Sequence, residues 1–147
     1  MSTTVTGPRK YCTFLVGSLL YGVDVDQVQE VIRFQDMTPV PLAAAAVRGL
    51  INLRGQIVMA IDMRKRLGLG PLPEGQLPTN VVVRADGAVS LLVDEIGDVV
   101  DVNGGFEDIP DTLHGEARQL ISAVCKLEGR LLLVLDVAAA INVTVGA

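Results

Sequence analysis

The chain reads as a mainly β protein made of two small barrels related by an approximate twofold. Three observations predict this. One stretch of sequence is duplicated, its apolar runs are short and bounded by turn signals, and hairpin signals recur outside the duplicated stretch.

The duplication is the strongest feature. Leu53-Arg54-Gly55-Gln56 leads into five apolar residues, Ile57 to Ile61, and then Asp62. Leu127-Glu128-Gly129-Arg130 leads into Leu131 to Leu135, and then Asp136. The offset from Leu53 to Leu127 is 74 positions, half of the 147 residues. A weaker echo runs at offset 68: Val25-Asp26 with Val28, Glu30 and Val31 matches Val93-Asp94 with Ile96, Asp98 and Val99. The second unit therefore carries six extra residues, expected in the polar stretch from Asn103 to Arg118.

Each element has a local cause. Five consecutive apolar residues between turn signals predict a strand buried on both faces, as in a closed barrel. Gly55 and Gly129 stand where a tight hairpin needs positive φ. Asp62 and Asp136 sit where a carboxylate accepts the first amides of a helix, so short helices are expected at Met63–Leu67 and Val137–Ile141. Gly68 and Asn142 follow at equal spacing as left-handed caps. Tyr11–Val16 and Leu19–Val23 flank Gly17-Ser18, and Thr79–Arg84 and Ala88–Val93 flank Asp86-Gly87, two further hairpins. Asp24–Arg33 is predicted as a short helix, with Val25, Val28, Val31 and Ile32 on one face and Asp24 and Gln27 as a capping box. Gly68–Pro78 is the connection between halves. The expected organisation is a flexible segment 1–10 and one domain, 11–147, of two barrel subdomains at about 11–70 and 79–141, with strand exchange between them left open.

Composition removes several functions. Half the residues are hydrophobic and 20% are charged, so a packed core is expected. Twelve basic residues face seventeen acidic ones, net −5, with no Trp, three Phe and two Tyr. Nucleic-acid binding wants a basic face and stacking platforms, so none is expected. The single histidine, His114, lies among Asp108, Asp111 and Glu116 and reads as a surface loop residue rather than a base. Asp94, Glu95, Asp98 and Asp101 lack the glycine and terminal glutamate of a calcium loop and read as a solvated barrel rim, so no metal is assigned. Cys12 and Cys125 lie far apart in apolar stretches and read as buried free thiols. Nothing at Met1–Lys10 resembles a secretory leader, and no apolar run reaches the ~20 residues of a bilayer span, so a cytoplasmic protein without membrane insertion is expected. Nucleophile-elbow, zinc-helix, phosphate-loop and Cys-x-x-Cys motifs are all missing.

Charge then separates the halves. Residues 1–78 hold eight basic and six acidic residues; residues 79–147 hold four and eleven. Arg54 and Glu128 occupy equivalent hairpin tips, so the fold does not dictate their charge. A cation at Arg54, close to the segment of Glu30, is a candidate for charge-assisted bonds to a partner.

The stretch from Val47-Arg48-Gly49-Leu50-Ile51-Asn52-Leu53-Arg54-Gly55-Gln56 to Ile61-Asp62-Met63-Arg64 resembles the CheW family, the coupling proteins of bacterial chemotaxis. Tyr21–Asp24, Val28–Ile32, Leu92–Ile96 and Leu127–Asp136 match as well, so the resemblance covers roughly residues 11–141. It implies two five-stranded SH3-like barrels around a shared apolar region. It also implies a non-enzymatic adaptor, without cofactor, that joins the cytoplasmic tip of methyl-accepting chemoreceptors to the regulatory domain of a histidine autokinase. Carried over by residue, the receptor-facing set is Val28, Glu30, Gly49, Arg54 and Gly55, with Val93 and Ile96 on the other wall of the groove between the barrels. Kinase-contact residues are not assigned. The family often has Pro where Met59 stands. The competing reading, a small-molecule-binding or catalytic β-barrel, requires a polar pocket with convergent titratable groups.

Overall fold

A computed structural model of the chain describes residues 9–143 apart from 86, 112 and 114. His114, and Asp86 of the predicted Asp86-Gly87 turn, lie outside the described residues. In chain order the elements are β1 (Arg9–Val16), β2 (Leu19–Asp24), a 3₁₀ turn (Val25–Gln27), β3 (Val28–Ile32), β4 (Val47–Leu53), β5 (Gln56–Asp62), α1 (Met63–Arg66), β6 (Thr79–Arg84) and β7 (Ala88–Val93). Then follow β8 (Glu95–Val102), β9 (Phe106–Glu107), α2 (Glu116–Gln119), β10 (Ile121–Leu127), β11 (Arg130–Leu135) and α3 (Val137–Ala140). β1 begins at Arg9, inside the segment expected to be flexible.

Two sheets form, ordered β8-β1-β2-β11-β10-β9 and β3-β6-β7-β5-β4. Apart from the two-residue β9, they share one plan. An edge strand pairs antiparallel with a hairpin, the hairpin pairs in parallel with a second hairpin, and the pattern ends. The duplication is visible down to irregularities. A bulge between Val47 and Gly49 against Ile61 and Ala60 recurs between Ile121 and Ala123 against Leu135 and Val134. The Asp62 amide donates to the Ala46 carbonyl, and the Asp136 amide to that of Leu120, both at 2.7 Å. Every one of these pairs is separated by the predicted 74 positions.

Sheet membership cuts across the sequence halves. The five-stranded sheet takes the continuous stretch β3–β7, while the six-stranded sheet takes β1–β2 and β8–β11 from the two ends. The chain therefore crosses between sheets twice, after β2 and after β7. The six extra residues of the second unit fall in a segment that carries β9 and α2.

Three apolar clusters explain the long hydrophobic runs. Tyr11, Leu20, Val102, Cys125, Leu132 and Val134 fill the six-stranded sheet. Ile51, Leu53, Val58 and Val82 fill the five-stranded one. The largest draws on both sheets, with Phe14, Tyr21, Val23, Leu133 and Leu135 from one and Ile61, Val81, Val83, Leu91 and Val93 from the other. Successive side chains of a strand point to opposite faces. Thus Leu132 and Val134 enter one cluster while Leu133 and Leu135 enter the shared one, and Val82 alternates in the same way with Val81 and Val83. The first residue of each duplicated run departs from the expectation. Ile57 is 61% exposed and Leu131 40%, because each follows its hairpin tip before the strand reaches the core.

Cys12 and Cys125 are buried free thiols, and burial pushes both thiol pKa values up. The buried Ser90 and Asn80 side chains are paired: the Ser90 hydroxyl donates to Asn80 Oδ1 at 2.7 Å, and Asn80 Nδ2 donates to the Arg33 carbonyl at 3.1 Å.

Asp62 caps α1 by accepting from the Arg64 and Lys65 amides, and Asp136 caps α3 by accepting from that of Ala139. Gly68 adopts the left-handed conformation, with φ 76°, but Asn142 does not, so only the first helix ends as expected. The predicted helix at Asp24–Arg33 is also corrected. One 3₁₀ turn forms, with the Asp24 side chain accepting from the Asp26 amide, and Val28–Ile32 then extends along β6. Three β-branched residues in five favour the strand, and pairing with β6 supplies the hydrogen bonds a helix would have made.

Candidate functional site

The β4–β5 and β10–β11 turns are equivalent in position and different in backbone. Arg54 and Gly55 both have positive φ, 54° and 84°, whereas in the second turn only Gly129 does, at 83°. The cause is local. Asn52 Oδ1 accepts the Gly55 amide at 2.9 Å, bracing a turn with two left-handed residues. The residue equivalent to Asn52 is Lys126, which carries no acceptor.

This turn aims Arg54 at Glu30. Nη1 and Nη2 donate to Oε2 and Oε1, each at 2.6 Å, a bidentate pair. Glu30 lies on β3 and Arg54 on the β4–β5 tip, and these strands are the two ends of the five-stranded order. The pair therefore spans the open side of the sheet, between its two end strands. The Thr38–Leu50 bridge supports the same seam, with both of its amide–carbonyl bonds at 2.9 Å. The Arg54 guanidinium holds the Glu30 carboxyl below its ordinary pKa, so the pair stays charged at neutral pH. Arg54 remains 74% exposed, with three N–H donors beyond the two in the pair, while Glu30 is 18% exposed.

The remaining candidates separate into surface and interior. Gly55 is exposed beside Arg54 and needs its positive φ, with nothing near enough to obstruct a side chain. Val28 is half-buried at the start of β3, where its carbonyl accepts from Arg84 at 2.9 Å. Ile96 is exposed on β8, followed by exposed Val99. Gly49 is buried, and its role is steric: an added Cβ would lie 2.8 Å from the Thr38 carbonyl oxygen, a backbone atom unable to yield. Gly49→Ala is expected to destabilise the fold by about 1–3 kcal/mol, read as a lower urea midpoint at unchanged slope.

Val93 is corrected. It is 0% exposed and sits in the cluster shared by both sheets, so it presents nothing to a groove. Asp94 is corrected as well. Its side chain is 14% exposed and ion-paired with Arg64, rather than solvated on a rim with Glu95, Asp98 and Asp101. The bracing Asn52 and the Arg64–Asp94 pair were not singled out from sequence. Asn two positions before a hairpin tip was the legible signal for the first; the second needed the tertiary fold.

The two barrels carry equivalent but differently charged rims. Glu30 and Asp98 correspond, as do Val31 and Val99, both exposed. The counterpart of Arg54 is Glu128, so the equivalent hairpin tip of the other barrel offers a carboxylate where this one offers a guanidinium. Among the described residues, no group of three or more His, Cys, Asp or Glu is placed to hold a metal ion, and no helix is long and apolar enough to cross a membrane.

Comparison with known proteins places this architecture. Residues 10–144 match the family model described as the CheW-like domain. The chain is 32% identical to the chemotaxis protein CheW of Bacillus subtilis, across 97% of this chain and 92% of that protein. It is 33% identical to the chemotaxis protein CheW of Treponema pallidum, across 85% and 77%. The crystal structure of the scaffolding protein TtCheW from Thermoanaerobacter tengcongensis superposes with a TM-score of 0.79 at 25% identity, covering 88% of this chain and 89% of that one. With two sheets on one plan, a shared core, and a match from β1 to beyond α3, the chain belongs to the CheW-like domain family.

Proposed function

We propose that this protein is a non-enzymatic chemotaxis adaptor that holds the cytoplasmic tip of a chemoreceptor against the regulatory domain of a histidine autokinase. The observation that carries the reading is the family match over residues 10–144, together with relatives named as chemotaxis proteins and a structural neighbour named as a scaffolding protein. The mechanism is positional. Apolar side chains left on the surface, Val31, Ile96 and Val99 among them, supply contact area for a partner helix, and Arg54 supplies direction. Its guanidinium is preoriented by Glu30, so little rotamer freedom is lost when a partner carboxylate or carbonyl meets its remaining donors. Partner engagement takes place in the cytoplasm, where the receptor tip and the kinase lie.

The test is a three-component reconstitution with receptor cytoplasmic fragment and kinase. Arg54→Glu sets two carboxylates against each other and is expected to weaken receptor-dependent kinase recruitment by about tenfold or more. The thermal midpoint should stay nearly unchanged, because an exposed pair contributes little to folding. Wild-type recruitment in the variant would remove Arg54 from the interface, and failure of the wild-type protein to bind either partner would remove the adaptor reading itself.

A further inference from the structure

The chain passes between the sheets twice, and the two crossings are built differently. After β2 it uses the 3₁₀ turn Val25–Gln27, whose Asp26 is exposed. After β7 it uses a single residue, Asp94. This carboxylate reaches both barrels. Its Oδ2 accepts the Gly17 amide, in the β1–β2 turn of the six-stranded sheet, at 2.7 Å. The same oxygen accepts Nη1 of Arg64, on the helix that follows β5 of the other sheet. The Asp94 amide donates to the Leu15 carbonyl at 3.0 Å. Arg64 also donates from Nε to the Gly70 carbonyl at 2.6 Å, tying in the connection between the halves. Side-chain exposure is 19% for Arg64 and 14% for Asp94, so solvent screens the pair less than a surface one.

A second tie runs nearby. Arg66 donates from Nη2 to the Ala139 carbonyl at 2.7 Å and from Nε to that of Ala140 at 3.1 Å, joining α1 to its sequence-equivalent helix α3. The apolar core between the barrels resists their separation, but apolar contact is non-directional and tolerates small rotations. Charge-assisted hydrogen bonds are directional. Both donors to the Asp94 side chain converge on one oxygen, and Oδ1 is buried without a protein donor, so the side-chain link between the barrels at this crossing passes through a single atom, beside the backbone bond from the Asp94 amide to Leu15.

We propose that Asp94 and Arg64 form a clasp that sets the angle between the two barrels. With the clasp closed, the barrels move as one body. With it open, they stay folded and in contact but rotate about the two crossings, changing the relation between the surfaces each presents. The clasp acts within this chain and does not depend on which partner binds.

The test uses residual dipolar couplings on the full-length protein. In the wild type, couplings from both barrels fit one alignment tensor. In Asp94→Asn the common tensor is lost, each barrel fitting its own, while couplings within each barrel keep their wild-type pattern. Amide exchange at Gly17 accelerates and that of Phe14 and Leu91 stays slow. One tensor in the variant, or two in the wild type, overturns the proposal. Should Asp94→Asn fail to fold, Arg64→Gln is measured in the same way. Failure of both to fold also overturns it, because the pair would then be a condition of folding rather than a setting of the angle.

Discussion

Replacing Val93 with aspartate is expected to unfold the protein. Val93 is fully buried, at the end of β7, in the cluster that joins the sheets. Phe14, Val81 and Leu91 belong to the same cluster, and none offers a donor to a carboxylate. An unpaired buried charge costs several kcal/mol, and protonating it to escape still leaves an unsatisfied acid in an apolar site. The loss exceeds about 4 kcal/mol, against a total of about 5–15 kcal/mol for a domain of this size, enough to unfold one in the lower part of that range. Val93→Ala is the graded control, expected to cost about 2 kcal/mol through the cavity it leaves. Urea unfolding followed by circular dichroism measures both. A Val93→Asp protein with a wild-type midpoint would return Val93 to the surface, and with it the groove-lining role expected from sequence.

The second large effect concerns the continuous stretch 28–93, which holds every strand of the five-stranded sheet. Expressed alone, it is expected not to fold. One face of this sheet is covered by the other: Ile61, Met63, Val81, Val83, Leu91 and Val93 pack in the cluster with Phe14, Tyr21, Val23, Leu133 and Leu135. Burying such a side chain is worth about 1.5–3 kcal/mol, so exposing six forfeits about 10 kcal/mol or more. That loss matches the whole stability of an ordinary domain. The fragment should show neither dispersed amide resonances nor a cooperative thermal transition. A cooperative transition would mean that the barrel is self-sufficient and the shared cluster dispensable.

Much of this architecture was legible in local chemistry. Gly55, Gly129, Asp62 and Asp136 each do one local job, and that job depends on neighbours within a few residues. The two hairpin tips, both aspartate caps and three of the four strands around the other hairpins therefore matched to within a residue, and the fourth, β1, began two residues early. The failures have a common cause. Val28, Val31 and Ile32 are spaced for a helix face but also suit a strand, and β6, about fifty residues away, decided between them. Val93 and Ile96 carry similar side chains three positions apart. One enters the core and the other faces solvent because a crossing between sheets lies between them. The candidate site divides in the same way. Arg54 and Gly55 announce themselves by the turn they make. That Glu30 receives both arms of Arg54 follows only from curling the sheet until its end strands meet.

From its residues alone, the chain established that it is a duplicated, mainly β protein with hairpins and caps at stated positions. Those features are encoded in periodicity, glycine and short-range hydrogen bonding, which act within a turn or a strand. Which hairpin joins which sheet, and which apolar residues form the common core, was decided by tertiary packing. The two units carry nearly interchangeable strands, so the energy that separates one pairing from another lies in contacts between residues far apart in the chain. Asp94 shows the difference best: in sequence it is one acid among four, and in the fold it is the residue on which both barrels close.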